Sequence, residues 1–409
     1  MLPGIFDIRM RTLLGDEYDS FLHAFSSPPP TSIRFNTFKP TEVFGDAAVV
    51  PWCSEGRYLN SRPQFTLDPL FHAGCYYVQE ASSMFIEQAL MDYQKKSRVR
   101  TVLDLCAAPG GKSTHLRSLI PEDALLVSNE MISSRNAILS ENISKWGHPG
   151  VIITRNSPDS LVGSTFGFDV VLVDAPCSGE GLFRKDPQSI NEWSPEAVVS
   201  CALRQRSILD VAVELLSPGG LLIYSTCTWS EDEDERIVEH LVGTHSFVPV
   251  RIELPSGVVQ SSGGYRFYPH RTQGEGFFLS ALVKSAGDER PRNRVRTAAI
   301  PGRNVKPDYF RLDGDFEYRE INEKVRAYPA GMMNLLEELS SGFNIVHAGC
   351  LIGEKKGQDL VPSQDFAQSI DRDHSFPEKE LTMEEALRYL RGDALPGSTG
   401  SKGWHIMIY

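Results

Sequence analysis

No Cys-x-x-Cys pair occurs anywhere in the sequence. Its seven cysteines (Cys53, Cys75, Cys106, Cys177, Cys201, Cys227 and Cys350) are odd in number and widely scattered, which suggests neither a zinc site nor a disulfide framework, and no metal is expected. Positive charge is also in short supply. Against 53 acids stand 41 lysines and arginines, a net charge of −12. That argues against a protein that coats nucleic acid indiscriminately, but leaves room for an enzyme with a local basic groove. No apolar run approaches membrane-spanning length. The N-terminus, with Asp7, Arg9, Arg11, Asp16 and Glu17, lacks the apolar stretch of a secretory signal. These absences lead to the expectation of a reduced, cytoplasmic, soluble protein with no membrane partner. What is present is ordinary: 41% hydrophobic and 23% charged residues over 409 positions, enough for a real core and for two or three domains.

The middle of the chain alternates short apolar runs with helical stretches. Residues 101–105, 124–127, 151–154, 168–173 and 221–224 read as strands, and residues 112–119 and 195–216 as helices. The second helix opens on Ser194-Pro195-Glu196, a capping serine followed by a proline whose missing N–H costs nothing there, and it should stop at Pro218-Gly219-Gly220. Strands this apolar, spaced by helices, indicate a parallel sheet buried on both faces. The predicted fold is α/β: a doubly wound, mostly parallel, Rossmann-like sheet over residues 96–285. Residues 1–95 form a less periodic N-terminal region that includes the stiff Pro28-Pro29-Pro30 connector. Residues 286–306 read as a basic linker, since between 290 and 306 Arg290, Arg292, Arg294, Arg296, Arg303 and Lys306 meet no acid. Residues 307–409 make a small third domain.

In an open α/β sheet the ligand lies outside the carboxyl ends of the strands. The turn after the first strand, Cys106-Ala107-Ala108-Pro109-Gly110-Gly111-Lys112, opens a helix with small residues that would let backbone N–H groups approach a ligand. Gly111-Lys112-Ser113 fits the end of a phosphate-binding loop, but Cys106 stands where that loop needs its first glycine, and no Gly-x-Gly-x-x-Gly occurs. Glu130, 20 residues past Gly110 at the end of the second strand, occupies the position where a carboxylate receives two ribose hydroxyls. A nucleoside-bearing cofactor without a tightly bound pyrophosphate fits best, and S-adenosylmethionine is the leading candidate.

At the end of the fourth strand the chain reads Asp174-Ala175-Pro176-Cys177-Ser178-Gly179, and at the end of the fifth Ser225-Thr226-Cys227-Thr228-Trp229. Two cysteines thus face the cofactor crevice without the neighbouring ligands a metal would want. These strings, with Asp104-Leu105-Cys106-Ala107-Ala108-Pro109-Gly110-Gly111-Lys112, resemble the Sun-family RNA cytosine methyltransferases, which make 5-methylcytosine. Pro269-His270 and Gly274-Glu275-Gly276-Phe277-Phe278 resemble a further late motif, so the match spans most of residues 75–284. The Phe183-Arg184-Lys185-Asp186-Pro187 continuation and the trailing domain look most like the bacterial 16S ribosomal RNA enzymes. Ala348-Gly349-Cys350-Leu351-Ile352-Gly353 and Ala386-Leu387-Arg388-Tyr389-Leu390 resemble a PUA-type RNA-binding module.

The resemblance implies an S-adenosylmethionine-dependent enzyme in which Cys227 bonds covalently to cytosine carbon 6 and Cys177 helps release the product. It also implies that Asp174 hydrogen-bonds the cytosine edge. Lys112 would lower a neighbouring thiol's pKa or position the base, with a solvated lysine as the alternative. The cofactor would lie against residues 106–112, Glu130, Asn156 and Asp174. Asn156 stands where the family often has an aspartate on the adenine amino group. Arg184 and Lys185 are expected near RNA phosphates, and Arg135 either there or in solvent. The acidic run 231–235 reads as a helix start. His270 and Trp229 are assigned no chemistry. The expected partner is RNA, 16S ribosomal RNA or the small subunit, engaged by a monomer whose target base is flipped out. A transfer RNA methyltransferase and a non-catalytic ribosome-assembly factor are the alternatives. A DNA cytosine methyltransferase, which uses the Pro-Cys thiol as nucleophile, is disfavoured by the Thr-Cys motif.

Overall fold

In the computed structural model, residues 2–285, 299–307, 310–374, 376–396 and 402–409 are described. Four of the six basic residues expected in the linker, Arg290, Arg292, Arg294 and Arg296, lie outside that set.

A ten-stranded sheet forms the centre. The strands Thr101–Asp104, Leu125–Asn129 and Val151–Thr154 run parallel to one side, and Phe168–Asp174 and Leu216–Thr226 run parallel to the other. The chain therefore reverses its direction of winding at Thr101–Asp104, and the strand ends there open the crevice where ligands bind in such sheets. Antiparallel strands complete the edge beyond Leu216–Thr226, beginning with Phe277–Lys284. The sheet is buried on both faces: Leu103, Val127, Val171 and Leu222 sit in one apolar cluster, and their neighbours Val102, Leu126, Val170 and Leu221 in another. Ser194 caps the helix Pro195–Leu215, its side chain accepting from the N–H of Ala197. That helix ends directly in the strand Leu216–Thr226, so Pro218, Gly219 and Gly220, expected to form a break, lie inside the strand, where Gly219 takes φ +76°.

The N-terminal region carries the helices Gly4–Leu14 and Tyr18–Ala24 and a four-stranded antiparallel sheet. Phe6 and Phe21 of those helices pack on Phe183, Trp193 and Trp229, beside the loops of the two strand-end cysteines. The C-terminal part has its own five-stranded sheet, whose first strand, Arg303–Asn304, falls within the stretch read as a linker. It does not stay apart. Ile345–Ala348 pairs antiparallel with Val151–Thr154 and extends the central sheet, while Met333, Leu336, Leu339 and Phe343 join its core.

Candidate active site

Asn129 laces the cofactor side of the crevice together. Its amide nitrogen donates to the carbonyls of Leu105 (3.1 Å) and Asn156 (3.0 Å), and its oxygen accepts from Asn156 N (2.9 Å) and Thr154 Oγ1 (2.9 Å). Three strand-end loops are thereby fixed relative to one another. Beside them the Glu130 carboxylate, almost wholly buried, accepts from the N–H of Ile132 at 2.8 Å. Arg135, half exposed, lies 3.6 Å from Glu130 and donates to the carbonyl of Ala108 at 2.8 Å, so it fastens the glycine loop.

The loop 106–112 owes its glycines to packing. Gly110 has φ +114°, and a Cβ there would meet Leu139 at 3.2 Å; one on Gly111 would meet the Tyr77 ring at 3.1 Å. A side chain at either position would press on neighbouring protein. Ala107 N–H donates to the carbonyl of Asn129, and Asn142 holds the carbonyl of Pro109. Cys106 lies in the field of Asp104, Asp174 and Glu130; burial first, then these charges, push its thiol up. Asn156 has both ends of its amide engaged, its oxygen accepting from the N–H of Asn344 (2.9 Å) and its nitrogen donating to Ser160 (3.0 Å). One lone pair of that oxygen remains for an adenine amino group.

Asp104 is a site residue that the sequence motifs did not single out. It is fully buried; Oδ2 accepts from Ser113 Oγ at 2.7 Å, and Oδ1 has no partner. Burial pushes its carboxyl up to about 7, against the hydrogen bond from Ser113. A carboxyl oxygen without a hydrogen-bond partner, next to Cys106 and in the field of Asp174 and Lys112, suits a cationic group such as an S-adenosylmethionine ammonium, while the ribose diol suits Glu130. The residues present fit that cofactor.

Across the crevice the two strand-end cysteines meet. Cys177 Sγ lies 3.0 Å from Cys227 Sγ and accepts the backbone N–H of Cys227 at 3.3 Å. The hydrogen bond with Cys227 and then burial push the Cys177 thiol well above its usual range, so it holds its proton. Lys112 Nζ lies 2.8 Å from Asp174 Oδ2, and Ser225 Oγ donates to Asp174 Oδ1 at 2.8 Å. Burial opposes the charge on Lys112, but Asp174 and the nearby Cys227 sulfur more than offset it and hold the ammonium above its ordinary value. Lys112 is thus a paired cation within the site, not a solvated one.

Several further residues are placed differently from expectation. Arg184 is buried and forks onto Glu275 at 2.9–3.2 Å while donating to the carbonyl of Gly274, so it braces the late motif and is not available to RNA phosphate. Its neighbour Lys185 is exposed, on an open groove with Arg62 and Gln273. The acidic run opens the helix Glu235–Thr244 as expected, yet Glu233, Asp234 and Glu235 are buried and engaged by Ser178, Thr226 and Arg266 respectively. Trp229 stacks on Tyr268, and His270 pairs with Glu17 at 2.9 Å. Away from the crevice, Cys53, Glu87 and His115 come together in the core, a grouping no sequence spacing revealed. Glu87 there accepts from Ser54 and lies 3.0 Å from His115 Nε2. Burial, then the charge of nearby Arg34, pushes that histidine down to about 4.

Comparison with known proteins decides the family. Residues 90–283 match the model of the 16S rRNA methyltransferases RsmB/F, and residues 2–81 match the N-terminal domain of the 16S rRNA methyltransferase RsmF. A ribosomal RNA small subunit methyltransferase F from Aliivibrio fischeri (strain MJ11) is 34% identical over 96% of this chain and 88% of its own. The protein of the same name from Aliivibrio salmonicida is 31% identical over the same shares. The chain belongs to the RsmB/F methyltransferase family. It is an enzyme, an S-adenosylmethionine-dependent RNA methyltransferase. Among solved structures, a methyltransferase homolog protein from Pyrococcus horikoshii superposes with a TM-score of 0.60 at 27% identity, covering 68% of this chain and 94% of that one. NSun6 from Pyrococcus horikoshii, solved with SFG, shares the fold at a TM-score of 0.59 and 20% identity, covering 70% of this chain and 99% of that one. Among the described residues no helix of this RsmB/F member is long and apolar enough to cross a membrane.

Proposed function

We propose that this RsmB/F member methylates carbon 5 of a cytosine in 16S ribosomal RNA through a covalent bond between Cys227 and cytosine carbon 6. The observation that carries the reading is the pair of thiols 3.0 Å apart at the ends of adjacent strands, next to the Lys112–Asp174 pair. Carbon 5 of cytosine is a poor nucleophile; thiolate addition at carbon 6 makes the ring an enamine and carbon 5 nucleophilic. Bound S-adenosylmethionine supplies the electrophilic methyl group. Glu130 holds the ribose diol, Asp104 the ammonium, the 106–112 loop the adenosine and methionine, and Asn156 the adenine edge. Asp174, fixed by Ser225 and Lys112, bonds the cytosine edge and favours addition by stabilising the protonated ring nitrogen. After transfer, the carbon 5 proton leaves to water, its bonding pair restores the ring double bond, and the carbon–sulfur pair returns to Cys227. Cys177, held as a thiol within hydrogen-bond reach, stabilises the departing sulfur.

RNA binding falls to the N-terminal region 1–95, the basic stretch 286–306 and the PUA-like part 307–409, with the target base flipped out of any helix. The relatives' names, which specify the small ribosomal subunit, support the choice of 16S RNA over transfer RNA. A cytoplasmic setting fits seven unbridged cysteines. The test is adduct trapping on RNA containing 5-fluorocytosine. Cys227→Ala should give no adduct and no methyl transfer, and on RNA with ordinary cytosine, where the wild type turns over, Cys177→Ala should let adducts accumulate. The opposite assignment of the two cysteines would overturn the mechanism.

A further inference from the structure

The two thiol loops are joined by a buried carboxylate that neither the cofactor nor the cytosine chemistry uses. Glu233 stands six residues after Cys227, on the same loop. Its Oε1 accepts from the backbone N–H of Ser178 at 2.8 Å and from Gln205 Nε2 at 3.0 Å, and its Oε2 accepts from Ser178 Oγ at 2.5 Å. Gln205 Nε2 also holds the carbonyl of Pro176 at 3.0 Å. The residues immediately before and after Cys177 are therefore both gripped by one assembly anchored in the Cys227 loop. Ser178 Oγ adds a bond across to Thr228 Oγ1 at 3.1 Å, and the tyrosyl O–H of Tyr224 fixes Glu233 through its backbone carbonyl.

We propose that Glu233 is a positioning residue that holds the Cys177 thiol against Cys227, so that release of product keeps pace with formation of the covalent bond. The inference rests on the cytosine reading above. Only a carboxylate has acceptors on both oxygens to meet the three donors facing it. An amide in its place turns an N–H toward Ser178 Oγ, which then accepts it and turns its own proton to Thr228 Oγ1, so a charge-assisted bond is exchanged for neutral ones and the grip on Ser178 weakens. Burial works against the charge on Glu233 and its donors work for it, so the clamp is held by hydrogen bonds and not by an ion pair. Its negative charge also helps keep the Cys177 proton in place.

Glu233→Gln should behave as a milder Cys177→Ala. Covalent complexes with ordinary cytosine RNA should persist at least tenfold longer than in the wild type, kcat should fall in step, and S-adenosylmethionine affinity should stay within about twofold. Ser178→Ala, which keeps the backbone donor but removes the hydroxyl, should shift adduct lifetime the same way by a smaller factor, and it decides the matter should Glu233→Gln not fold. A second readout needs no RNA. With diamide as oxidant, each thiol of the wild type gives up a proton and an electron, the reagent's N=N bond is reduced to a hydrazine, and a Cys177–Cys227 disulfide forms, detectable by peptide mass spectrometry. Loosening the clamp should slow that closure at least fivefold. Wild-type adduct lifetime and closure rate in both variants overturn the proposal, as does a loss of cofactor affinity equal to the loss of turnover. If the wild type makes no adduct but closure still depends on Glu233, the clamp stands and the cytosine mechanism fails.

Discussion

Arg184 and Glu275 form a forked ion pair with both side chains nearly excluded from water, 91 residues apart in sequence. The pair joins the loop that follows Cys177 to the late Gly-Glu-Gly segment. Removing one partner of such a pair leaves the other buried and uncompensated, at a cost of roughly 3–5 kcal/mol. Arg184→Ala should therefore lower the denaturant midpoint by a corresponding amount. The salt dependence of RNA binding should keep its slope, because no phosphate contact is lost. A slope reduced by about one unit, with stability unchanged, would restore the phosphate role expected from sequence.

Glu130→Ala should weaken S-adenosylmethionine binding in calorimetry by about 150-fold or more, the loss expected for two hydrogen bonds to an ionised acceptor at roughly 1.5–3 kcal/mol each. At saturating cofactor the variant should recover most of its kcat, since Glu130 is far from the reacting carbon in the proposed arrangement. An unchanged dissociation constant would remove Glu130 from the cofactor site.

With Asp104 holding the ammonium as proposed, cofactor affinity should depend on pH. The folded-state carboxyl of Asp104 titrates at about 7, above the unfolded value of 3.8. Between those limits the native state holds a proton the unfolded chain has lost, so this group reduces stability as pH rises from 4 to 7, and the cost is complete above 7. Asp104→Asn should accordingly melt higher than wild type at pH 8, with the advantage shrinking toward pH 4. Binding of a cationic ammonium favours the ionised form. Wild-type affinity should thus rise from pH 6 to 7 and then level off, with proton release visible as a buffer-dependent binding enthalpy. The variant should bind more weakly at pH 8 and show no such slope. A flat wild-type profile would place the ammonium elsewhere.

Lys112→Met keeps the length of the side chain but leaves Asp174 without its cation. Methyl transfer should slow by about 10- to 100-fold, while the S-adenosylmethionine dissociation constant moves less than threefold. Equal losses in both would make Lys112 a cofactor ligand rather than a partner of Asp174.

Much of this was legible in the sequence because the central sheet is locally determined. Apolar runs, the Ser194-Pro195 start and the short strings around Cys106, Cys177 and Cys227 each carry their information within about ten residues. The exceptions have a common origin in contacts between distant segments. Arg184 looks like an RNA ligand until Glu275 is brought beside it. Glu233 and Asp234 look like no more than a helix start until Ser178 and Thr226 fold over them. Asp104 sits in a familiar string, but its vacant oxygen shows only once Ser113 is seen to occupy the other. Pro218-Gly219-Gly220 spells a turn, yet the neighbouring strand Phe168–Asp174 draws the chain into the sheet two residues earlier.

The added strand Ile345–Ala348 carries a consequence for how the ends of the polypeptide cooperate. Just ahead of it, Asn344 takes the side chain of Asn156 and the backbone of Arg155. A chain cut short before that point would bare a sticky border on Val151–Thr154, inviting self-association, and would unmoor the loop that carries Asn156. The edge of the central sheet and the loop that carries Asn156 are thereby wired to the same few backbone bonds.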